Sequence, residues 1–168
     1  MSKIIGYHGT SCKAANNILS QKSFNFSTKN NEWLGRGIYF YELQSKANWW
    51  AKRKTNGRVL KCVINVDDEE LFNLDIPENE NLIMNFADEL TDKGIVTFSS
   101  DKIERRRELL DLFQAENEHK VTIYTFPSTN KFKKDELDYF GLKRTERQIC
   151  VHDKSCIEYN NIEILPLS

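Results

Sequence analysis

The chain has no long hydrophobic run. Its apolar stretches reach only about five or six residues, against the roughly 20 that a membrane-spanning helix needs. It does not open with a basic segment leading into an apolar one, so no secretory signal is expected and the reading is cytoplasmic. An excess of one charge is missing too. Lys and Arg total 24 against 25 Asp and Glu, a formal charge of −1. That excludes a protein that coats nucleic acid or membrane by bulk charge and leaves room only for a local patch. The four cysteines, at 12, 62, 150 and 156, include no CxxC pair. They read as free thiols and not as a disulfide framework. Cys150, His152 and Cys156 are of metal-ligating types, but zinc sites use tighter paired spacing. Strand alternation alone puts Cys150 and His152 on one face, so no metal is expected. The three prolines (77, 127 and 166) fall where elements are expected to end, and no repeat or low-complexity tract is visible.

What remains is a 168-residue chain, 39% hydrophobic and 11% aromatic, with a mean hydropathy of −0.60. That is enough to build one core, so disorder is excluded and a single domain over 1–168 is expected. Periodicity predicts strands over 3–8, 37–41 and 58–66, with a helix capped by Ser11 over 14–19 and another over about 44–54. Residues 25–36 read as a polar loop. An acidic turn at 67–70 opens a helical insertion at about 67–118. Its first helix, 78–93, is predicted to bury Leu82, Phe86 and Leu90; its second, about 101–117, to bury Ile103, Leu109, Leu110 and Phe113. Arg105-Arg106-Arg107 reads as a solvated face. Strands are predicted over 121–126, 148–151 and 157–165. Without regular βαβ alternation, the fold class is α+β.

Two segments crowd small residues and aromatics together: Tyr7-His8-Gly9-Thr10, and Trp33-Leu34-Gly35-Arg36-Gly37-Ile38-Tyr39-Phe40. Glycines placed this way let a backbone approach something flat or charged. Either segment alone is better explained by ordinary turns and a core tyrosine. Together, and followed by Gln44-Ser45-Lys46-Ala47-Asn48-Trp49-Trp50, they resemble the first two motifs and following helix of the ADP-ribosyltransferase superfamily. The likeness is to its His-Tyr-Glu branch of diphtheria-type toxins and poly(ADP-ribose) polymerases, and it covers residues 4–54. The family's third motif is matched by Thr145-Glu146-Arg147-Gln148-Ile149-Cys150-Val151-His152, with Gln148 in register with the catalytic Glu and Glu146 two residues earlier. A period of 2 puts both on one strand face, so either is a candidate for the third catalytic residue.

The resemblance implies a split β-sheet with flanking helices around an NAD+ cleft, in which the strands near His8, Tyr39 and Gln148 converge with His8 and Tyr39 on the same side. It implies a small stand-alone enzyme of bacterial or phage type that cleaves NAD+ and transfers one ADP-ribose to a macromolecular acceptor, protein or nucleic acid. A toxin or antiviral defence role with a cognate antitoxin goes with that. His8 would bond the adenine-side ribose, and the Gly9 backbone, with Thr10 beside it, would hold the nicotinamide carboxamide. Tyr39 and Trp50 would sandwich the nicotinamide ring, and Arg36, next to Gly37, would meet the pyrophosphate. The catalytic set is then His8, Tyr39, Gln148 and Glu146. NAD+ is needed as substrate and no metal is required. Scission gives an oxocarbenium-like transition state, which polar groups on the ribose hydroxyls orient and stabilise. An NAD glycohydrolase, an RNA 2′-phosphotransferase-like enzyme and an inactive NAD- or nucleic-acid-binding module are the alternatives. The stretch from Asn130 to Arg144 stands where the family holds its acceptor loop.

Overall fold

A computed structural model describes residues 1–27, 32–128 and 140–167. The stretch from Asn130 to Asp138 and Tyr139, expected to meet the acceptor, lies outside the described residues. The described residues form a seven-stranded mixed sheet with four helices, an α+β architecture. In chain order these are β1 (Ser2–Ser11), α1 (Cys12–Gln21), β2 (Ile38–Tyr41), α2 (Gln44–Ala51), β3 (Gly57–Val66), β4 (Leu71–Asn73), α3 (Pro77–Asp92), α4 (Lys102–Asn117), β5 (Val121–Pro127), β6 (Thr145–Val151) and β7 (Glu163–Leu165). Spatially the strands run β4-β5-β6-β2-β1-β3-β7. All pairs are antiparallel except β4 and β5, which are parallel.

β1 and β3 are each ten residues long and pair over their whole length, from Ser2 against Val66 to Ser11 against Gly57. Gly9 therefore does not end the strand, as its local chemistry suggests; the long ladder with β3 carries the extended backbone through it. Ser11 then caps α1, its hydroxyl accepting from the Ala14 N–H at 3.2 Å. The sheet opens at its middle: β1 and β2 share a single registered pair, Tyr7 with Tyr41.

Alternation sorts the side chains into two main cores, with a smaller third cluster of Ala47, Ala51 and Val59 beneath α2. One face gathers Phe24, Phe40, Leu60, Cys62, Ile64, Ile149 and Val151. The other packs Leu34, Phe72, Ile83, Leu110, Phe113, Phe126 and Cys150 under α3 and α4. In α3 the buried position is Ile83, whereas Leu82 is 50% exposed; Phe86 packs against Phe113 and this core as predicted, so the stripe departs only at its first position. Ile103 at the start of α4 is also exposed, while Leu110 and Phe113 are buried. Arg106 leaves the solvated face expected of it. Its guanidinium lies 4.7 Å from the Phe126 ring centroid and 5.5 Å from that of Trp33. β4 has no sequence signal because it is three residues long, and the predicted strand over 157–165 shrinks to β7, Glu163–Leu165, behind a 3-10 turn at Tyr159–Asn161. Among the described residues no helix is long and apolar enough to cross a membrane.

Candidate functional site

The register decides which expected residues meet. Gln148 pairs with Tyr41, and Tyr41 with Tyr7. Paired residues share a face, and so do residues two apart on a strand. Tyr7, Gly9, Tyr39, Tyr41, Glu146 and Gln148 thus lie on the face covered by α2 and α4. His8 lies on the other face, against Phe24 and Phe40 at ring centroid distances of 5.2 and 5.7 Å, together with Thr10. The expectation that His8 and Tyr39 share a side of the sheet is therefore corrected, and alternation is the reason. They meet instead across the opening between β1 and β2, where His8 Nδ1 lies 2.8 Å from the Tyr39 carbonyl oxygen.

That contact fixes the imidazole. A carbonyl only accepts, so Nδ1 carries the proton. Burial, assisted by the charge of Lys54, holds the His8 pKa below its ordinary 6.5 and keeps the ring neutral. Nε2 is then a lone-pair acceptor, with no hydrogen-bond partner among the described residues.

The polar centre sits on β6. Gln148, only 6% exposed, donates from Nε2 to Glu146 Oε1 at 3.0 Å, and Glu146 Oε2 pairs with Lys46 Nζ at 3.2 Å. Lys46 also donates to Ser128 Oγ at 3.1 Å. One helical turn beyond Lys46, Trp50 donates its indole N–H to the Tyr41 hydroxyl. Burial, with Glu146 nearby, pushes the Tyr41 phenol up to about 12. Lys46 and Trp50 are spaced i, i+4 and so share a face of α2. That spacing is the signal by which Lys46 is readable in the sequence.

Tyr39 and Trp50 are held by different partners. The Tyr39 hydroxyl donates to the Gly35 carbonyl and accepts the Leu34 N–H at 2.9 Å. Its ring packs among Leu34 and Cys150, and burial raises its phenol well above the ordinary value. Tyr39 shapes the loop before β2, whereas Trp50 is anchored to Tyr41, so separate partners hold the two rings expected to flank the nicotinamide. Gly9 and Gly37 serve packing first. A Cβ at Gly9 would overlap the Ala47 carbonyl oxygen of α2, and one at Gly37 would overlap the Cys150 sulfur.

The loop at 33–37 takes its shape from far along the chain, which no local signal reveals. Arg106 Nε donates to the Trp33 carbonyl at 3.0 Å, and the Arg36 N–H donates to Asp111 Oδ1 at 2.6 Å. Its side chain exposed, Arg36 lies 5.4 Å from the Phe26 ring centroid. Behind it His152 donates Nδ1–H to the Arg36 carbonyl at 2.8 Å. Its Nε2 must then accept the Thr122 hydroxyl proton, and Thr122 Oγ1 accepts from His119 Nε2, each at 2.8 Å. With both its nitrogens spent this way, His152 is 3.9 Å from the Cys150 sulfur, while Cys156 joins the opposite core. Two open depressions, of about 460 Å³ beside Lys61 and Glu163 and about 910 Å³ beside His119 and Lys154, include none of His8, Tyr39, Glu146 or Gln148.

The His119–Thr122–His152 chain needs a neutral His152, whose Nε2 accepts, while burial is what keeps His119 neutral. Burial, and then the neighbouring His152, depress His119 from 6.5 to about 3, and burial lowers His152 as well. Both groups take up a proton more readily in the unfolded chain. Their stabilisation is full above the unfolded pKa near 6.5 and is lost as pH falls toward the folded value. His119 alone is expected to cost about 2 kcal/mol between pH 7 and pH 5. The measurement is the urea midpoint at the two pH values, which should drop in the parent and drop less in His119→Gln. Equal midpoints in the parent would show that these rings are not held neutral.

No family model matches the chain. One segment of 57 residues, 33% of the chain, is 47% identical to an uncharacterized protein of Methanocaldococcus jannaschii. The match covers 27% of that relative, so the chain aligns with about a quarter of its length.

Proposed function

We propose that the chain is an ADP-ribosyltransferase-like enzyme that cleaves the nicotinamide–ribose bond of NAD+ and moves one ADP-ribose to a macromolecular acceptor. The observation that carries the reading is the Gln148–Glu146–Lys46 chain, placed beside the Trp50–Tyr41 pair where β1 and β2 separate. His8 Nε2, a neutral acceptor on the other face of the sheet, suits a ribose hydroxyl. The Gln148 carboxamide both donates and accepts, so it suits the neighbouring hydroxyls of the other ribose.

As the glycosidic C1′–N bond breaks, its electron pair neutralises the pyridinium and nicotinamide leaves. The acceptor atom then bonds C1′ and gives up its proton. An amide cannot take that proton, but the Glu146 carboxylate, held by Lys46, can. Lys46 also orients Glu146, much as a second hydrogen-bonding partner orients the base in other catalytic groupings. Division of labour between Gln148 and Glu146 fits single transfer and not polymer growth. A cytoplasmic toxin or defence effector with a cognate antitoxin fits the same reading. The test is incubation with NAD+ labelled in the adenylate part. Nicotinamide release together with label in a macromolecular pool supports the transferase. Release without label means a glycohydrolase, and no release overturns both.

A further inference from the structure

The formal charge of −1 conceals a segregation. Residues 1–66 carry 11 Lys and Arg against 2 Asp and Glu, whereas residues 67–118 carry 5 against 16. The positive half is most concentrated from Gln44 to Lys61, where six cations occur with no carboxylate between them. Lys46 and Lys61 are paired with Glu146 and Glu163. Lys52, Arg53, Lys54 and Arg58 enter no ion pair among the described residues, and the first three are exposed. A helix C-terminus attracts a cation by its dipole, which accounts for Lys52 but not for a run of four.

The patch also has a flat component. Trp49 is 42% exposed. The Arg53 guanidinium lies 3.1 Å from the centroid of its ring and donates to the Trp49 carbonyl at 3.0 Å. Indole and guanidinium planes held together in a field of cations form a surface on which a base stacks while phosphates follow the charges. An acidic peptide would satisfy the cations but has no use for the exposed indole. The patch borders the site. Trp49 is adjacent to Trp50, and the 52–56 turn is tied to the end of β1 by the Cys12 N–H donating to the Asn56 carbonyl at 3.0 Å. Arg58 stands opposite Thr10, on the face that holds His8.

We propose that the Trp49–Arg58 rim binds single-stranded nucleic acid and that such a strand presents the acceptor nucleotide. The second half rests on the transferase reading above. The rim itself is tested without NAD+, by fluorescence anisotropy of the full chain with fluorescein-labelled 12-nucleotide DNA and RNA of mixed sequence. Four phosphates neutralised on a single strand give a log–log salt slope of about −3, or a roughly 50-fold loss of affinity from 50 to 200 mM salt. Lys52→Glu/Arg53→Glu is expected to weaken binding about tenfold and flatten that slope, and Trp49→Ala about 5- to 100-fold. Trp49→Phe should restore most of that loss. Circular dichroism checks that each variant is folded. The double charge reversal should leave acceptor-free nicotinamide release unchanged, which separates failure of the rim from failure of the NAD+ chemistry. Absence of binding at 50 mM salt, affinity indifferent to both variants, or equal competition by polyglutamate would each overturn the proposal. The last result would point to an acidic protein instead.

Discussion

Gln148→Ala is expected to leave NAD+ binding within a few-fold of the parent while slowing nicotinamide release by about 10²–10³-fold, the usual cost of removing one positioned polar group that stabilises a charged transition state. The side chain is almost fully buried, and among the described residues its one side-chain hydrogen bond is to Glu146. Truncation therefore removes the amide without unseating β6, whose ladder with β5 runs from Val121–Val151 to Pro127–Thr145. Glu146→Gln separates the two steps. If Glu146 takes the acceptor proton, transfer should fall by about 10²–10⁴-fold, with a much smaller fall in the slow hydrolysis of NAD+ by water. Single-turnover assays of released nicotinamide and of labelled acceptor read the two rates. An active Gln148→Ala protein beside an inert Glu146→Gln protein would move the third catalytic residue to Glu146. Parental rates in both would remove β6 from the chemistry.

Gly9→Ala is expected to be the most destabilising single methyl in the site. The added Cβ would overlap the Ala47 carbonyl oxygen and lie 3.0 Å from the Ala51 nitrogen. Neither side can yield cheaply. Gly9 is locked to Val59 by the β1–β3 ladder, and Ala47 and Ala51 are fully buried against Val59. Overpacking of this kind costs about 1–3 kcal/mol and more where only backbone can give way. A drop in Tm of roughly 5–10 °C is expected for a chain of this size. Thermal unfolding followed at 222 nm measures it, and an unchanged Tm would mean that α2 is not seated on β1 as described.

The sequence carried most elements because most are announced locally. Ser11 caps α1, Asp101 accepts from the N–H groups of Ile103 and Glu104 at the start of α4, and the alternation of β3 is plain. Gln148 and Glu146 are legible as a pair because a two-residue spacing on a strand fixes their common face. What was illegible depends on partners remote in sequence. The 75-residue separation between Arg36 and Asp111 leaves no periodic trace, and neither does the 31-residue link from His8 to Tyr39. The glycines misled in a specific way. A position that needs hydrogen in place of a side chain reads identically whether the close neighbour is a ligand or, as at Gly9, the protein's own helix. The His8 face was missed for a related reason: motif order says which strands lie near one another, whereas register says which way each side chain points.

The grip of α4 and His152 on the Arg36 loop has a consequence for how the protein is made. A ribosome delivers the two recognisable glycine segments within the first 40 or so residues, but the groups that fix the second arrive with Arg106, Asp111 and finally His152. Domains form as units while the chain emerges at about 5–20 residues per second. The loop's backbone therefore waits several seconds for its supports, and a nascent chain stalled before residue 152 carries every early motif with its Arg36 carbonyl still unanchored. The loop is completed only once β6 and His152 have been made, long after the glycine segments that announce it.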